Sequence, residues 1–595
     1  MDRRPLIEWV PARWRLPLAL ALGIGAATAL YFVGRLYRDE PVRYASPEEH
    51  FKYGSTGGER LSGFPYWIWQ VLPALFPEYL PGGKYLPETP YAPMGFIYET
   101  GKALPIGVSQ RNVQGMDRVF LNCAVCHVGT WRAKPGDPPA IVLGMGANTV
   151  DLQQFERFLF QCVTDERFTP NRVLSAIEKI GGRLDRFDEE ALRNLGVYLM
   201  RDRVLLLRDR FSFMDREPDS GPGRVDTFNP PKVLMNFPMH KVSEREWVGN
   251  CDLPSIWLQR PREGMWLHWD GNCNRVQERN RSAAFGTGAQ PPSLDRPLLK
   301  RVEDFIMDAT PPPFPFPIDP AKVALGEPLY RAHCASCHGK NGRDFAGELV
   351  GKVTPIDAPK LRTDRWRLDS YTHELAAGQN QLYAEYGDER FSHFRKTFGY
   401  ANAPLDGIWL RAPYLHNGSV PTLRDLLDPA PQRPATFYRG YDVYDPRRVG
   451  WVGEVAVEPE VSTKTNPHLK GRRYFRFETR PIPGERTGAF AKVTAIAPQT
   501  RVITLDRPLL RETIIVKVTD AAGAVLLWDI PVAHSAAGES AITLGELPPE
   551  LTVGHGLDYS TPLERNEGNS NAGHEYGTDL SAAEKDAIVE FLKTF

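Results

Sequence analysis

The sequence has no excess of charge of either sign. Its 595 residues contain 72 Lys and Arg against 73 Asp and Glu, for a net charge of −1. Nucleic acids attract strongly basic chains, so this balance excludes them as partners, and no long-range steering by the whole molecule is expected. The length predicts two to four domains, each able to bury a core of its own.

Cysteine is scarce, with 7 residues, beside 13 histidines. At these frequencies a C-x-x-C-H pattern is expected about 0.002 times by chance, yet it occurs at 123–127 and at 334–338. A zinc or redox C-x-x-C site would need further Cys or His pairs nearby or a thioredoxin-like context, and neither is present. The pattern predicts two covalently bound haem c groups. The attachment residues are Cys123, Cys126, Cys334 and Cys337, and the iron ligands are His127 and His338.

The remaining cysteines are Cys162, Cys251 and Cys273. Cys251 and Cys273 flank one segment and are the pair expected to form a disulfide in an oxidising compartment. Buried free thiols are an equal alternative.

The N-terminal segment begins with basic residues and continues as a long apolar run. Leu16–Val33 carries no charge and follows four arginines. As a helix it spans about 27 Å, enough for a bilayer core, and the arginines place the N-terminus inside. Ala27–Ala29 offers a small-residue cleavage site, but the apolar run continues past it, which favours a single-pass anchor over a signal peptide. Both alternatives place the body outside the cytoplasm, periplasmic if anchored and secreted if cleaved.

The predicted fold is mainly α: two cytochrome c-type haem domains with long irregular loops, a small β-rich insertion and an N-terminal transmembrane helix. Short β-branched runs between Val502 and Ile530 predict the insertion. Ser581 and Glu584 form a capping box before a helix with one apolar face, which predicts docking. The predicted segments are the anchor 1–40, the first haem domain 41–307, a linker 308–320, the second haem domain 321–480, the β insertion 481–560 and a ligand loop with docking helix 561–595.

Methionine, a common second ligand of cytochrome c iron, is absent after Met307. A second ligand for the iron above His338 must therefore be another residue type, and seven histidines follow the motif. We favour His574, because its Gly/Asn-rich loop lets backbone approach a porphyrin closely. His416 is the runner-up, and the alternative role of His574 is an ordinary loop hydrogen bond.

The order of motifs resembles the bacterial dihaem cytochrome c peroxidase superfamily. After the first C-x-x-C-H come 252–257 (DLPSIW), 268–272 (HWDGN) and 276–279 (VQER), and after the second comes 407–423 (GIWLRAPYLHNGSVPTL). The form of HWDGN, together with 282–286 (SAAFG) and 568–577 (GNSNAGHEYG), is more similar to the dihaem rubber oxygenase branch. The resemblance covers roughly residues 90–480 and 560–595. It supports His574 as a ligand and a structural role for His416.

This resemblance also implies roles around the first haem. Superfamily peroxidases place a glutamate over this iron, but 282–293 holds no carboxylate and has Phe285 there instead. Phe285 therefore implies an apolar pocket over an open haem, with a core aromatic as the alternative. Trp269 is implied to lie between the haems and assist electron transfer, with plain packing as the alternative. Met145, Met239 and His240 are the residues that would otherwise close the iron.

The chain is expected to be a haem-dependent oxidoreductase, and three alternative functions are considered. In the first, an open haem uses O₂ to oxidise an apolar substrate while a bis-His haem transfers electrons. The second is a peroxidase-like enzyme, which the absent glutamate opposes. The third is a membrane-tethered electron carrier with both irons closed. The expected partners are a redox protein or small electron donor, O₂ or peroxide, an apolar substrate and, through the N-terminal helix, a membrane.

Overall fold

The protein is described here by a computed structural model that covers residues 11–479, 489–521, 525–561 and 566–595. Its α-helices are α1 Ala12–Leu36, α2 Pro47–Tyr53, α3 Tyr66–Leu75, α4 Ala124–His127, α5 Leu152–Thr164, α6 Pro170–Lys179, α7 Arg186–Ala191, α8 Val197–Arg210, α9 Asn229–Leu234, α10 Val276–Gly286, α11 Arg296–Met307, α12 Pro320–His333, α13 Ala335–His338, α14 Trp366–Ser370, α15 His373–Gln381, α16 Leu423–Leu426, α17 Glu460–Thr463 and α18 Ala582–Leu592. A π-helical turn, Leu192–Gly196, joins α7 to α8.

The strands are short. They are β1 Asp39–Pro41, β2 Phe64–Pro65, β3 Val108–Val113, β4 Met116–Leu121, β5 Val128–Trp131, β6 Ala140–Leu143, β7 Arg224–Asp226, β8 Asn250–Asp252, β9 Val353–Pro355, β10 Gly399–Ala401, β11 Thr436–Arg439, β12 Tyr444–Asp445, β13 Gly450–Trp451, β14 Phe475–Glu478, β15 Phe490–Ala497, β16 Val502–Leu505, β17 Ile515–Thr519, β18 Val525–His534, β19 Ala541–Leu544 and β20 Gly556–Asp558.

The fold is mixed α and β, so the mainly α prediction was too narrow. Strands β15–β20 close into a barrel in the order β15-β16-β19-β18-β17-β20, at the position of the predicted β insertion. Its core is filled by alternate apolar residues such as Val493, Ile503 and Leu544, which agrees with the period of two in these runs.

The N-terminal apolar helix joins the body directly. Only Tyr37 and Arg38 separate α1 from β1, which pairs with β3 in a sheet of order β1-β3-β4-β2. The Arg35 guanidinium is buried and donates to the Gly115 carbonyl at 2.9 Å and to Asp185 at 2.7 Å. The end of α1 is therefore fixed to both the β3–β4 turn and α7.

The predicted docking helix packs on α12, which leads into the second C-x-x-C-H motif. Ile588 and Leu592 are buried in this contact, and the capping box of Ser581 and Glu584 is present. A side chain at Gly326 of α12 would meet the carbonyl of Ala587 at 2.0 Å. The two helices cross so closely here that only glycine fits.

Candidate haem-binding sites

The first C-x-x-C-H motif forms a single helical turn, α4, at the wall of a large cavity. The Asn122 side chain accepts from the Ala124 amide at 2.9 Å and so fixes the start of this turn. His127 Nδ1 donates to the Pro254 carbonyl at 2.9 Å. Burial lowers the pKa of His127 to about 4, which keeps the imidazole neutral. A neutral ring whose Nδ1 hydrogen is already bonded leaves Nε2 available for a metal.

The second motif repeats this arrangement in α13. His338 Nδ1 donates to the Ala403 carbonyl at 2.8 Å, and burial again lowers the pKa of the imidazole. The Tyr330 hydroxyl donates to the Gly339 carbonyl at 2.9 Å and closes the turn behind the histidine. Both motifs thus present one oriented imidazole beside two cysteines.

His574 lies opposite His338. The two imidazole centroids are 6.2 Å apart, with 40° between the ring planes. Metal–imidazole nitrogen bonds of about 2.0 Å, as found for zinc, put the centroids of two rings on opposite sides of one ion about 6 Å apart. The spacing therefore fits an iron held between His338 and His574.

The backbone around His574 holds its ring in place. His574 itself has a left-handed φ of 53°, and a side chain at Gly573 would meet the Leu361 carbonyl at 2.1 Å. Arg433 donates to the carbonyls of Asn571 and Gly573 at 2.6 and 2.8 Å. Burial lowers the pKa of His574 to about 3, and its Nδ1 has no partner among the described residues. A buried neutral imidazole with an unbonded nitrogen suits metal ligation.

His416 has a different environment. Its ring stacks on Tyr400 at 4.2 Å, and its Nε2 is hydrogen-bonded to the Tyr400 hydroxyl at 3.0 Å. The His416 carbonyl also accepts from the Asp252 amide at 2.9 Å. Both the ring and the backbone carbonyl of His416 are therefore hydrogen-bonded to other residues.

The cavity at the first motif has a volume of about 990 Å³. Cys123, Cys126, His127 and Phe285 line it together. Arg279 also lines it, and the Arg279 Nε is buried without a partner among the described residues. An unpaired guanidinium beside two cysteines and a histidine fits a haem, whose propionates carry negative charge. The residues present therefore suit a covalently attached haem.

Three carboxylates that no sequence motif indicated line this cavity, namely Asp226 and two glutamates. Glu156 of α5 and Glu303 of α11 both line it. Burial raises the pKa of Glu156 to about 8, and Glu303 Oε1 is buried without a partner among the described residues. Neither glutamate lies near Phe285 in sequence, so no local pattern indicated them.

None of the residues that were named as possible second ligands of the first iron lines the cavity. Met145 is buried in a core cluster with Trp257, and neither it nor Met239 nor the exposed His240 lines the cavity. His268 does line it, with its Nδ1 bonded to Asn272 Oδ1 at 2.6 Å. His268 is therefore a further candidate ligand of the first iron, although its position in the HWDGN motif did not indicate this role.

Trp269 is hydrogen-bonded to both loops that orient the motif histidines, the loop of Pro254 for His127 and the loop of Ala403 for His338. Its Nε1 donates to the Asp252 carbonyl at 2.9 Å, two residues before Pro254. Its own carbonyl accepts from the Ala401 amide at 2.8 Å, two residues before Ala403. Pro254, Trp269 and Ala403 line one small cavity of about 100 Å³. A short bonded path therefore runs from His127 through Trp269 to His338.

The three other cysteines are buried free thiols. Cys251 Sγ lies 3.9 Å from the Thr227 hydroxyl, and Cys273 Sγ lies 3.5 Å from the Arg275 carbonyl. The structure thus shows the thiol alternative and no Cys251–Cys273 disulfide.

Comparison with known proteins finds cytochrome c-like domains between residues 321 and 438. Residues 321–393 match the family described as cytochrome C oxidase, cbb3-type, subunit III, and residues 399–438 match the family described as RoxA-like, cytochrome c-like. The chain therefore carries cytochrome c-like domains, which imply covalently bound haem c. Together with the apolar α1, a signal or an anchor, these domains indicate an extracytoplasmic location.

Two relatives from Sinorhizobium fredii (strain NBRC 101917 / NGR234) are similar to the chain. Uncharacterized protein y4iM is 33% identical over 238 residues, which are 37% of this chain and 53% of the relative. Uncharacterized protein y4iJ is 22% identical over 552 residues, 73% of this chain and 90% of the relative. The match thus spans about half the length of the first relative.

Proposed function

We propose that the chain is a dihaem c-type oxidoreductase with one open haem and one bis-His haem. The observation that carries this proposal is the asymmetry of the two motifs. His338 faces another imidazole at 6.2 Å, whereas His127 lines a cavity of about 990 Å³. Haem iron, when bound, supplies electron transfer at the closed site and O₂ or peroxide chemistry at the open one.

The side chains of the protein divide the remaining work. Cys123 and Cys126 would attach the first haem, and His127, oriented by Pro254, would ligate its iron. Phe285 and the other apolar lining residues exclude water and favour an apolar substrate. His338 and His574 would both ligate the second iron and so keep substrate away from it. Trp269 supports electron exchange between the two, because its hydrogen bonds join the loops that anchor both histidines.

Peroxidase-like chemistry is the second candidate, and the cavity carboxylates favour it. Glu156, with its pKa of about 8, holds a proton at neutral pH and faces the same cavity as His127. A protonated carboxyl in a haem pocket is suited to general acid catalysis of peroxide cleavage. In this candidate function, Glu156 on α5 would take the role of the glutamate that the family resemblance implies near Phe285.

An electron carrier is the third candidate, and His268 is the residue that favours it. His268 lines the cavity with an Nε2 that is not engaged by Asn272, so it is the histidine to examine if both irons are closed.

The test is an electron paramagnetic resonance spectrum of the full chain in detergent, with absorption spectra under O₂ and after peroxide. The proposal expects one low-spin signal beside one high-spin or O₂-sensitive haem. Rapid reaction with peroxide that is lost in Glu156→Gln would favour the peroxidase. Two low-spin signals that respond to neither reagent would contradict both enzymes and support the carrier.

A further inference from the structure

The mouth of the large cavity lies beside the end of α1. The tip of the β3–β4 hairpin supplies Gln114 and Met116 to the cavity lining. Gly115, between them, accepts the hydrogen bond from Arg35, and Gln114 donates its amide to the Arg38 carbonyl at 2.8 Å. The segment that leaves α1 is therefore bonded to one edge of the cavity mouth.

A second part of the cavity lining is apolar and exposed. Leu195, Leu199 and Leu206 line the cavity and are 56%, 42% and 61% exposed. Their spacing places them along one face of the π turn and α8. Leu61 and Leu234, also exposed, continue the lining. Exposed leucines gathered at one opening, rather than scattered singly, mark a contact surface.

The position of α1 indicates what covers this surface. The most apolar window of the helix has a mean hydropathy of 2.0, and this window is not buried against the body. With two residues between α1 and β1, and with Arg35 bonded to Asp185 just before α7, the body has little freedom to move away from a membrane that holds α1. Arg203, exposed between the leucines, suits lipid headgroups, because arginine extends its charge toward them.

We propose that the leucine rim, defined as Leu195, Leu199 and Leu206, rests on the bilayer that holds α1. The cavity then takes an apolar, membrane-soluble substrate directly from that bilayer. The membrane contact is independent of the proposed function, whereas the entry of substrate rests on the open first haem.

The contact is tested with the full chain in phosphatidylcholine liposomes. Leu199→Cys and Leu206→Cys are labelled with a fluorophore, and each variant is compared with and without lipids that carry a shallow nitroxide quencher. Leu325→Cys and Leu510→Cys are matched controls, since these leucines are 65% and 70% exposed and do not line the cavity. We expect at least about twofold quenching at the rim, because apolar faces at membrane surfaces lie about 5–10 Å deep, and little at the controls.

Equal quenching at rim and control positions would overturn the contact, and so would an intact mass showing that α1 is removed from the mature protein. Strong protection of the rim label from water-soluble quenchers, without lipid quenching, would assign the surface to a protein partner instead.

The entry of substrate is tested with two iron ligands of one chemistry. Imidazole is added from water, and dodecylimidazole is supplied in the liposomes, while the absorption band of the first haem is followed. The triple variant Leu195→Ser, Leu199→Ser, Leu206→Ser should slow dodecylimidazole binding about tenfold, equivalent to 1.4 kcal/mol of barrier, and leave imidazole binding unchanged. The same replacement at Leu325 and Leu510 should change neither.

Failure of both ligands to bind the unaltered protein would contradict the open haem and hence the substrate part of the inference. Binding of both ligands with no effect of the triple variant would overturn the membrane route while leaving the open haem intact.

Discussion

The two C-x-x-C-H motifs have the same local structure, but the residues that face the histidine ring differ between them. Each is a short helical turn whose histidine donates Nδ1 to a backbone carbonyl, of Pro254 in one case and Ala403 in the other. Beyond the ring, one motif meets His574 and the other meets a cavity lined by Phe285. A local motif fixes one side of a cofactor, whereas distant segments decide whether the other side is closed.

The largest expected effect concerns the number of haems. Replacing Cys334 and Cys337 with Ser should remove one of two covalently bound haems, and replacing Cys123 and Cys126 should remove the other, because each thioether pair holds one group. The pyridine haemochrome spectrum of the denatured protein, in which thioether-bound haem stays attached to the chain, measures the count of haem against protein. Cys251→Ser, a buried free thiol, is the control and should retain both. A full count in either double variant would refute the two-site comparison.

His574→Ala should convert the second haem from low-spin to high-spin, because it removes the imidazole facing His338 while leaving the attachment residues in place. His416→Ala is the control: it removes a buried ring that is hydrogen-bonded to Tyr400, and it should lower Tm but keep the low-spin signal. Paramagnetic resonance distinguishes the two. A persistent low-spin signal in His574→Ala would rule out this ligand.

Trp269→Phe should slow electron exchange between the haems about tenfold. This factor corresponds to a rise of about 1.4 kcal/mol in the activation free energy. The change removes the Nε1 bond to Asp252 while keeping an aromatic ring, so both spin states should remain. Trp257→Phe is the control, because its Nε1 donates to Leu143 and does not join the two anchoring loops. Flash reduction followed at the two haem bands gives the rate. Equal slowing in both variants would indicate packing alone.

The smallest expected effect is on pH-dependent stability. The pKa of Glu156 is raised to about 8 in the folded chain by burial, from 4.5. Between these values the folded state holds a proton that the unfolded state has released, so stability falls as pH rises from about 4.5 to 8. Glu156→Gln should flatten the decline in Tm across this window.

Other carboxyls near Glu156 also have raised pKa values, so a variant of one neighbour serves as the control. Asp151 has a pKa raised to about 6, and burial also raises that of Glu217, beside Asp226. Glu217→Gln should reduce the slope separately from Glu156→Gln. An unchanged slope in Glu156→Gln would show that this carboxyl is ionised in the folded protein.

Local patterns in the sequence predicted the local structure well. The strand β16 matches its β-branched run, and the docking helix after the Ser581 capping box buries its apolar side chains. The strands of the haem domains were missed. Most are runs of two to four residues, which carry too little periodicity to register, and the six-residue β3 (VSQRNV) is mostly polar without an apolar alternation.

Contacts between distant segments were the part that residue patterns alone did not reveal. Trp269 was placed between the sites by resemblance, but its bonds to Asp252 and Ala401 join loops far apart in sequence. Glu156 and Glu303 reach the first cavity from α5 and α11, and no spacing within either helix marks them. The side opposite each histidine is assembled by tertiary packing, which single-sequence patterns do not encode.

The two-residue connection between α1 and β1 has a mechanical consequence. A body on a long tether sweeps a wide volume and meets its partners in three dimensions. With α1 retained in a membrane, this body would keep one height and one tilt. A redox partner would then have to approach along the plane of the bilayer, by lateral diffusion, and would find the same face presented on every encounter.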